Sequence, residues 1–307
     1  MSINIGCIGC GNMGGAILGG LAKSGKGYAL CGNTRTMKRM DPLVKLGVEP
    51  LESAADVARK SRYVVLAVKP YQVEAVLSGM KGALSADNVL ISIAAGVSLD
   101  TLKKFSGGVC PVVRCMPNTP ALVAKGVFAF SFEDSRLSEE QKRDILDIFS
   151  ALGQCFEVPE SRFTAFTSLI GAGPAYLFDL MEGMVQAGVT LGFQHADCRR
   201  MVAALFEGCG RMALENSDTH LMALRDNVCS PAGTTIVGVN CMDEDGLAGK
   251  LAKAVFAANR RGPFPFYMAD SCSIRYCLPV RRERSFQNGL QCSAAPDRGL
   301  PCAENLL

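Results

Sequence analysis

Residues 226–236 read Asp226-Asn227-Val228-Cys229-Ser230-Pro231-Ala232-Gly233-Thr234-Thr235-Ile236, a run that opens a helix with hydroxyls and free backbone amides. The first turn of a helix leaves four N–H donors unpaired and carries about half a positive charge, so a small carboxylate docks there without an arginine. Pro231 suits the first helical position, Gly233 lets a ligand come close, and Ser230, Thr234 and Thr235 supply rotatable hydroxyls. An ordinary capped helix explains the same residues. The choice between the two rests on the rest of the chain.

A second run with chemistry in it lies at the start. Residues 3–8 form a short apolar strand, then come Gly9-Cys10-Gly11-Asn12-Met13-Gly14, then Ala16, Ile17, Leu18 and Leu21 at helical spacing. A glycine turn between a strand and a helix is the dinucleotide fingerprint. Gly9 allows the tight turn, Gly11 lets the backbone approach a pyrophosphate, and Gly14 lets the helix pack close to the strand. A second strand at 28–31 should end near the adenine ribose, where an Asp or Glu binds the 2′-hydroxyl of NAD. The chain instead reads Gly32-Asn33-Thr34-Arg35-Thr36-Met37-Lys38-Arg39, hydroxyls and cations that suit a 2′-phosphate and favour NADPH, with NADH as the second cofactor.

These residues need a frame to hold them. Further strands are expected at 63–68, 89–93 and 109–115, separated by helical patterns at 71–80 and 98–105, an alternation that implies a parallel sheet. The strand ends carry Ala67-Val68-Lys69-Pro70, Ala94-Ala95-Gly96 and Met116-Pro117-Asn118-Thr119-Pro120, in the crevice where open α/β sheets bind ligands. The small residues there leave room for a nicotinamide riboside, and Lys69 and Asn118 are polar groups that turn chemistry alone does not demand. From about residue 164 strand signals vanish, and helices are expected at 174–191, 197–215, from 232–235 onward, and at 247–261. The fold class is therefore α/β: a Rossmann-type doubly wound sheet over 1–160, then an all-α region over 161–261, with an atypical tail at 262–307. The helical region is more apolar than one thin layer of helices can bury, so an intertwined homodimer is expected.

Composition bounds the partners. In 307 residues the net charge is +3, with 49% hydrophobic and 20% charged residues, and the charges are mixed along the chain rather than blocked. That leaves no electrostatic footprint for nucleic acid. No apolar run reaches the ~18 residues of a membrane span, and the chain enters a strand without a basic leader, so a cytoplasmic location is expected. The 14 cysteines are scattered through strands and helices and read mostly as small buried hydrophobes, with no metal site. Both histidines, His195 and His220, fall at helix boundaries as caps or surface residues. This poverty of histidine points to a reaction class. Oxidising an alcohol requires a base, usually His, Lys or Tyr, whereas reducing a protonated imine needs only hydride delivery. A small carboxylate substrate with a C=N bond fits this chain better.

With the glycine turn, Ala67-Val68-Lys69-Pro70, Ser92-Ile93-Ala94-Ala95-Gly96-Val97, Arg114-Cys115-Met116-Pro117-Asn118-Thr119-Pro120, Gly171-Ala172-Gly173-Pro174-Ala175-Tyr176 and residues 226–236 in this order, the chain resembles pyrroline-5-carboxylate reductase from residue 1 to about 261. The resemblance implies reduction of 1-pyrroline-5-carboxylate to L-proline by NADPH or NADH, the last step of proline synthesis, in a homodimer or larger ring. It places cofactor contacts on Ile8, Gly9, Cys10, Gly11, Asn12, Met13, Thr34, Ala67, Val68, Lys69, Pro70, Ala95 and Asn227. Arg35 is added for the 2′-phosphate. Substrate contacts fall on Ser230, Gly233, Thr234, Thr235 and Glu160. The amides of residues 233–235 hold the carboxylate, and the Thr235 hydroxyl, the catalytic group, meets the ring nitrogen.

Two departures stand out. Ala232 replaces a family glycine, and the last helix runs into Gly262-Pro263-Phe264-Pro265-Phe266 where relatives continue it. Beyond that point Cys272, Cys277, Cys292 and Cys302 match no zinc spacing, and the tail is expected to be disordered and to weaken assembly. Three other functions remain open: a catalytically silent NADPH-binding scaffold or sensor, a reductase of a related cyclic imine, and a hydroxyacid dehydrogenase. The last would want a Lys or His in residues 173–191, which contain neither.

Overall fold

The computed structural model describes residues 2–262. Eight strands alternate with helices: β1 Asn4–Ile8, α1 Asn12–Lys23, β2 Ala29–Asn33, α2 Asp41–Val44, β3 Glu49–Pro50, α3 Ala54–Lys60, β4 Tyr63–Leu66, α4 Val73–Gly79, β5 Val89–Ser92, α5 Leu99–Phe105, β6 Val112–Met116, β7 Gly126–Ser131, α6 Glu139–Ser150 and β8 Gly153–Glu157. Helices then follow without further strands among the described residues: α7 Phe163–Phe166, α8 Gly173–Thr190, α9 His195–Glu215, α10 Leu221–Asp226, α11 Thr234–Glu244 and α12 Leu247–Arg261.

The strands form one sheet in the order β3-β2-β1-β4-β5-β6-β7-β8. The order reverses direction between β1 and β4, which opens the crevice at their carboxyl ends where the glycine turn and residues 67–70 lie. β1, β4, β5 and β6 are buried along nearly their whole length, as expected of strands covered on both faces. One apolar layer packs α1 and α6 on one face around Ile17, Leu21, Phe128, Phe130 and Phe149, and a second packs α3, α4 and α5 on the other.

The sheet is not wholly parallel. β7 runs antiparallel to β6, and β8 lies parallel to β7. A parallel return needs a crossover of a dozen or more residues. The link from Met116 to Gly126 instead holds a single 3₁₀ turn at Thr119–Val123, so the chain folds straight back.

Local sequence sets the helix starts. Ser98 Oγ accepts the Thr101 N–H at 3.2 Å, and Ser138 and Gln141 form a reciprocal capping box at α6. Between α7 and α8, residues Thr167–Gly171 widen into a π turn in which Ala172 N–H reaches Thr167 O at 2.8 Å. The Thr167 and Ser168 hydroxyls donate back to the carbonyls of Phe163 and Thr164, a pattern that bends helices.

The helical region buries little of itself. Val185, Cys198 and Val202 form its own small core, and α10, α11 and α12 contain no buried residue. Phe178 is 64% exposed, Leu191 78% and Phe256 62%. Apolar faces of this extent mark an interaction surface. Helix α12 ends where Gly262 takes φ +62°, as a glycine C′ residue commonly does. The expectations for the tail cysteines and for disorder beyond Gly262 lie outside the described residues.

Candidate functional site

The glycine turn is shaped by close packing and by its own hydrogen bonds. Gly9 has φ +95°, and a side chain there would sit 2.8 Å from Ala67 O. A side chain at Gly14 would sit 2.5 Å from Gly9 O and 2.9 Å from Cys7 Sγ. Both glycines are therefore required by packing. Gly11 is different. A methyl group there meets nothing closer than Arg39 Nη1 at 3.6 Å, so packing does not demand a glycine at that position. In the dinucleotide fingerprint this is the position left open for the pyrophosphate.

The amides sort in the same way. Asn33 O accepts the N–H groups of Gly9 and Cys10, at 2.8 and 3.1 Å, and Gly9 O accepts Gly11 N–H at 2.7 Å. The first helical bond of α1 runs from Gly15 N–H to Gly11 O, which leaves the amides of Asn12, Met13 and Gly14 without a partner among the described residues. Of the expected contacts over Ile8–Met13, only Asn12 and Met13 thus present free amides. Gly9 and Cys10 can offer shape but not N–H donors. Cys10 is buried, its thiol donating to Cys7 O at 3.5 Å. The hydrogen bond between the two thiols draws Cys10 below the ordinary thiol range and, with burial, pushes Cys7 well above it.

Around this turn, Thr34 is half-buried and Arg35, Lys38 and Arg39 are exposed. The Asn33 side chain is already used, donating to Leu51 O and Glu52 O at 2.8 Å each. Ala67, Val68 and Pro70 are half-buried beside Gly9, Lys69 is exposed, and Ala95 and Gly96 are exposed at the end of β5. Asn118 was expected to be free of structural duty, and it is not. Its amide is buried, accepts Val127 N–H at 2.9 Å and donates to Ile170 O at 3.4 Å, tying the end of β6 to the π turn.

The second cradle is the start of α11. Ser230 O accepts Gly233 N–H at 3.0 Å, so the free amides are those of Thr234, Thr235 and Ile236, one residue later than the expected set of 233–235. A side chain on Gly233 would collide with the Ser230 hydroxyl. Thr234 and Thr235 are exposed, as is Asn227, the last cap of α10. Ala232 takes φ +57°, the left-handed region that favours glycine. The departure from the family glycine is thus a strained one.

Glu160, expected among the substrate contacts, already has partners within the protein. Its Oε1 accepts Leu99 N–H at 2.7 Å and pairs with Arg114 Nη1 at 2.8 Å, while the Arg114 guanidinium lies 4.5 Å from the centre of the Phe163 ring. The carboxylate caps α5 and anchors a buried arginine. His220 caps α10 through Nδ1, which accepts Met222 N–H at 3.2 Å, and His195 is exposed at the start of α9. Of the ten described cysteines, six are buried and all are free. Among the described residues no three His, Cys, Asp or Glu side chains gather to hold a metal, and no helix is long and apolar enough to cross a membrane.

Residues 160–263 match the family model described as pyrroline-5-carboxylate reductase dimerisation, and residues 4–96 match the one described as NADP oxidoreductase coenzyme F420-dependent. The pyrroline-5-carboxylate reductase of Escherichia coli (strain K12) is 37% identical over 260 residues, which cover 83% of this chain and 95% of the relative. The chain belongs to the pyrroline-5-carboxylate reductase family. Solved reductases of the family share its fold. The enzyme from Coxiella burnetii superposes with a TM-score of 0.79 at 32% identity, over 85% of this chain and 97% of its own. The Plasmodium falciparum enzyme, with NADP bound, does so at 0.76 and 29% identity, over 84% and 96%.

Proposed function

We propose that this chain reduces 1-pyrroline-5-carboxylate to L-proline with NADPH as its main reductant, NADH serving less well, in a cytoplasmic homo-oligomer. One observation carries the reading. Each half of the chain presents a helix start with three unpartnered amides, at residues 12–14 and at 234–236, so each half has its own seat for an anion. The first, beside the open Cα of Gly11, fits the pyrophosphate of a dinucleotide. The second fits the carboxylate of a small imino acid. We read residues 1–160 as the cofactor domain and 161–261 as the substrate and dimerisation domain.

Bound NADPH supplies the hydride. Among the chain's own residues, the amides of Thr234, Thr235 and Ile236 hold the carboxylate, and the Thr235 hydroxyl oxygen accepts the N–H of the protonated imine. That contact aims the electrophilic carbon and keeps the nitrogen charged. No residue need act as a strong base, because the C=N carbon is already electrophilic, and the rate comes from orientation and proximity. Ala67, Ala95 and Gly96 keep the crevice free of bulk. Asn118, through Ile170, holds the substrate half in register with the end of β6. The unburied apolar faces of α8 to α12 are covered in the homo-oligomer, which brings the substrate cradle of the helical region to a cofactor crevice.

The silent-scaffold reading differs in one measurable respect. A spectrophotometric assay with pyrroline-5-carboxylate and each cofactor gives substrate-dependent oxidation of NADPH, faster than of NADH, if the reductase reading holds. Tight NADPH binding with no substrate-dependent loss of absorbance favours the scaffold.

A further inference from the structure

The cation nearest the glycine turn is not the one that the end of β2 suggests. Arg35 stands two residues past Asn33, at the edge where a 2′-phosphate is expected, whereas Arg39, four residues further on, reaches back to the turn. Its Nη1 is the atom closest to the open face of Gly11, 3.6 Å from the position of an added methyl, and the next nearest is Gly9 O at 4.0 Å. A groove of about 840 Å³ runs from Cys10, Gly11 and Asn12 along the outer side of α1, and Arg39 lines it at the glycine end. Arg39 makes no ion pair within 4.0 Å among the described residues, in contrast to Arg59, Arg62 and Arg136 on the same domain.

We infer that Arg39 is a pyrophosphate clamp. It is a cofactor-binding residue that supplies affinity without distinguishing NADPH from NADH, and the discrimination is left to Arg35. The physical reason is placement. Gly11 is the one glycine of the turn whose missing side chain serves a ligand and not the protein, and the ligand part that passes over this position is the pyrophosphate. A guanidinium beside three free amides adds a charge-assisted, two-pronged donor to neutral ones. The pyrophosphate is common to both cofactors, so a residue bound there cannot tell them apart. The 2′-phosphate is not, so a residue bound there must.

This inference rests on reading the glycine turn as the cofactor site, and its test does not require turnover. Calorimetric titration of the full chain with NADPH, NADH, ADP and 2′-AMP separates the two phosphates, because ADP carries only the pyrophosphate and 2′-AMP only the 2′-phosphate. Arg39→Ala is expected to weaken NADPH, NADH and ADP by a common factor of about tenfold and to leave 2′-AMP unchanged. Arg39→Lys should recover part of the loss. Arg35→Ala should weaken NADPH and 2′-AMP while sparing NADH and ADP. A selective loss of NADPH and 2′-AMP in Arg39→Ala would overturn the assignment, and so would unchanged binding of all four ligands. If the wild-type chain binds the dinucleotides but does not reduce the imine, the reductase reading fails while the Arg39 result still stands.

Discussion

Glu160→Ala separates two roles for one carboxylate. In the structure its Oε1 is shared by Leu99 N–H and the Arg114 guanidinium, and the paired side chains are only 25% and 11% exposed. Water screens this pair little, so losing its charge-assisted bond costs roughly 1.5–3 kcal/mol, and orphaning the Leu99 amide adds about 1 kcal/mol. The Arg114 contact with Phe163 survives, which places the total at about 3 kcal/mol rather than the larger cost of an isolated buried charge. Glu160→Gln keeps an acceptor for one donor and should lose only about 1 kcal/mol. Urea unfolding at one fixed protein concentration measures both, since oligomers stabilise with concentration. KM for pyrroline-5-carboxylate and for NADPH should stay within about twofold of wild type in Glu160→Gln, a change worth under about 0.5 kcal/mol. An Ala variant that unfolds at the wild-type midpoint but shows a many-fold higher KM for the imine would refute the anchoring role and restore a direct substrate contact.

Three further outcomes follow from the same geometry. Gly11→Ala should fold with wild-type stability but bind NADPH poorly by calorimetry, whereas Gly14→Ala should lose about 2 kcal/mol in the same unfolding assay because Gly9 O cannot move aside. Ala232→Gly should gain about 1 kcal/mol by relieving the φ of +57°, and a loss of stability would show that the loop is not left-handed there. Burial alone would raise the Asp134 carboxyl, but the Arg136 side chain and the Val112 and Arg136 amides hold it at about 2, below its ordinary 3.8. Its stabilisation is therefore complete above about pH 5, declines as pH falls through the ordinary value, and is lost as pH falls through about 2. Asp134→Asn should flatten that acid limb of the stability curve, and an unchanged limb would exclude the residue as its source.

Much of the frame was legible because its signals are periodic or steric. The glycine turn, β1, β4, β5 and the span of α12 fall where apolar runs and helical spacing put them. β7 and β8 leave little trace in the sequence because Gly126–Ser131 and Gly153–Glu157 are short, glycine-led and flank an amphipathic helix, so nothing local signals the antiparallel turn-back of β7. The π turn at Thr167–Gly171 has no sequence period of its own. Its trace was the adjacent Thr167 and Ser168, whose hydroxyls bond back into the helix. At the candidate site, residue types pointed to two helix starts, and the structure adds which of their amides are free. Whether a given amide is free depends on where its neighbour's carbonyl points, which is why Gly9, Cys10 and Gly233 drop out as donors and Gly14 and Ile236 enter. Arg39 reads in sequence as one more cation after β2 suited to a 2′-phosphate, because its distance along the chain from Gly11 hides its proximity in space.

In the proposed reaction an imino acid seated on the start of α11 is aimed by the Thr235 hydroxyl. The most direct test is steady-state reduction of pyrroline-5-carboxylate by Thr235→Ala, with NADPH affinity measured on the same preparation. A drop in kcat of about ten- to a hundredfold with NADPH affinity unchanged is the predicted result. Wild-type kcat and KM in the mutant would contradict it.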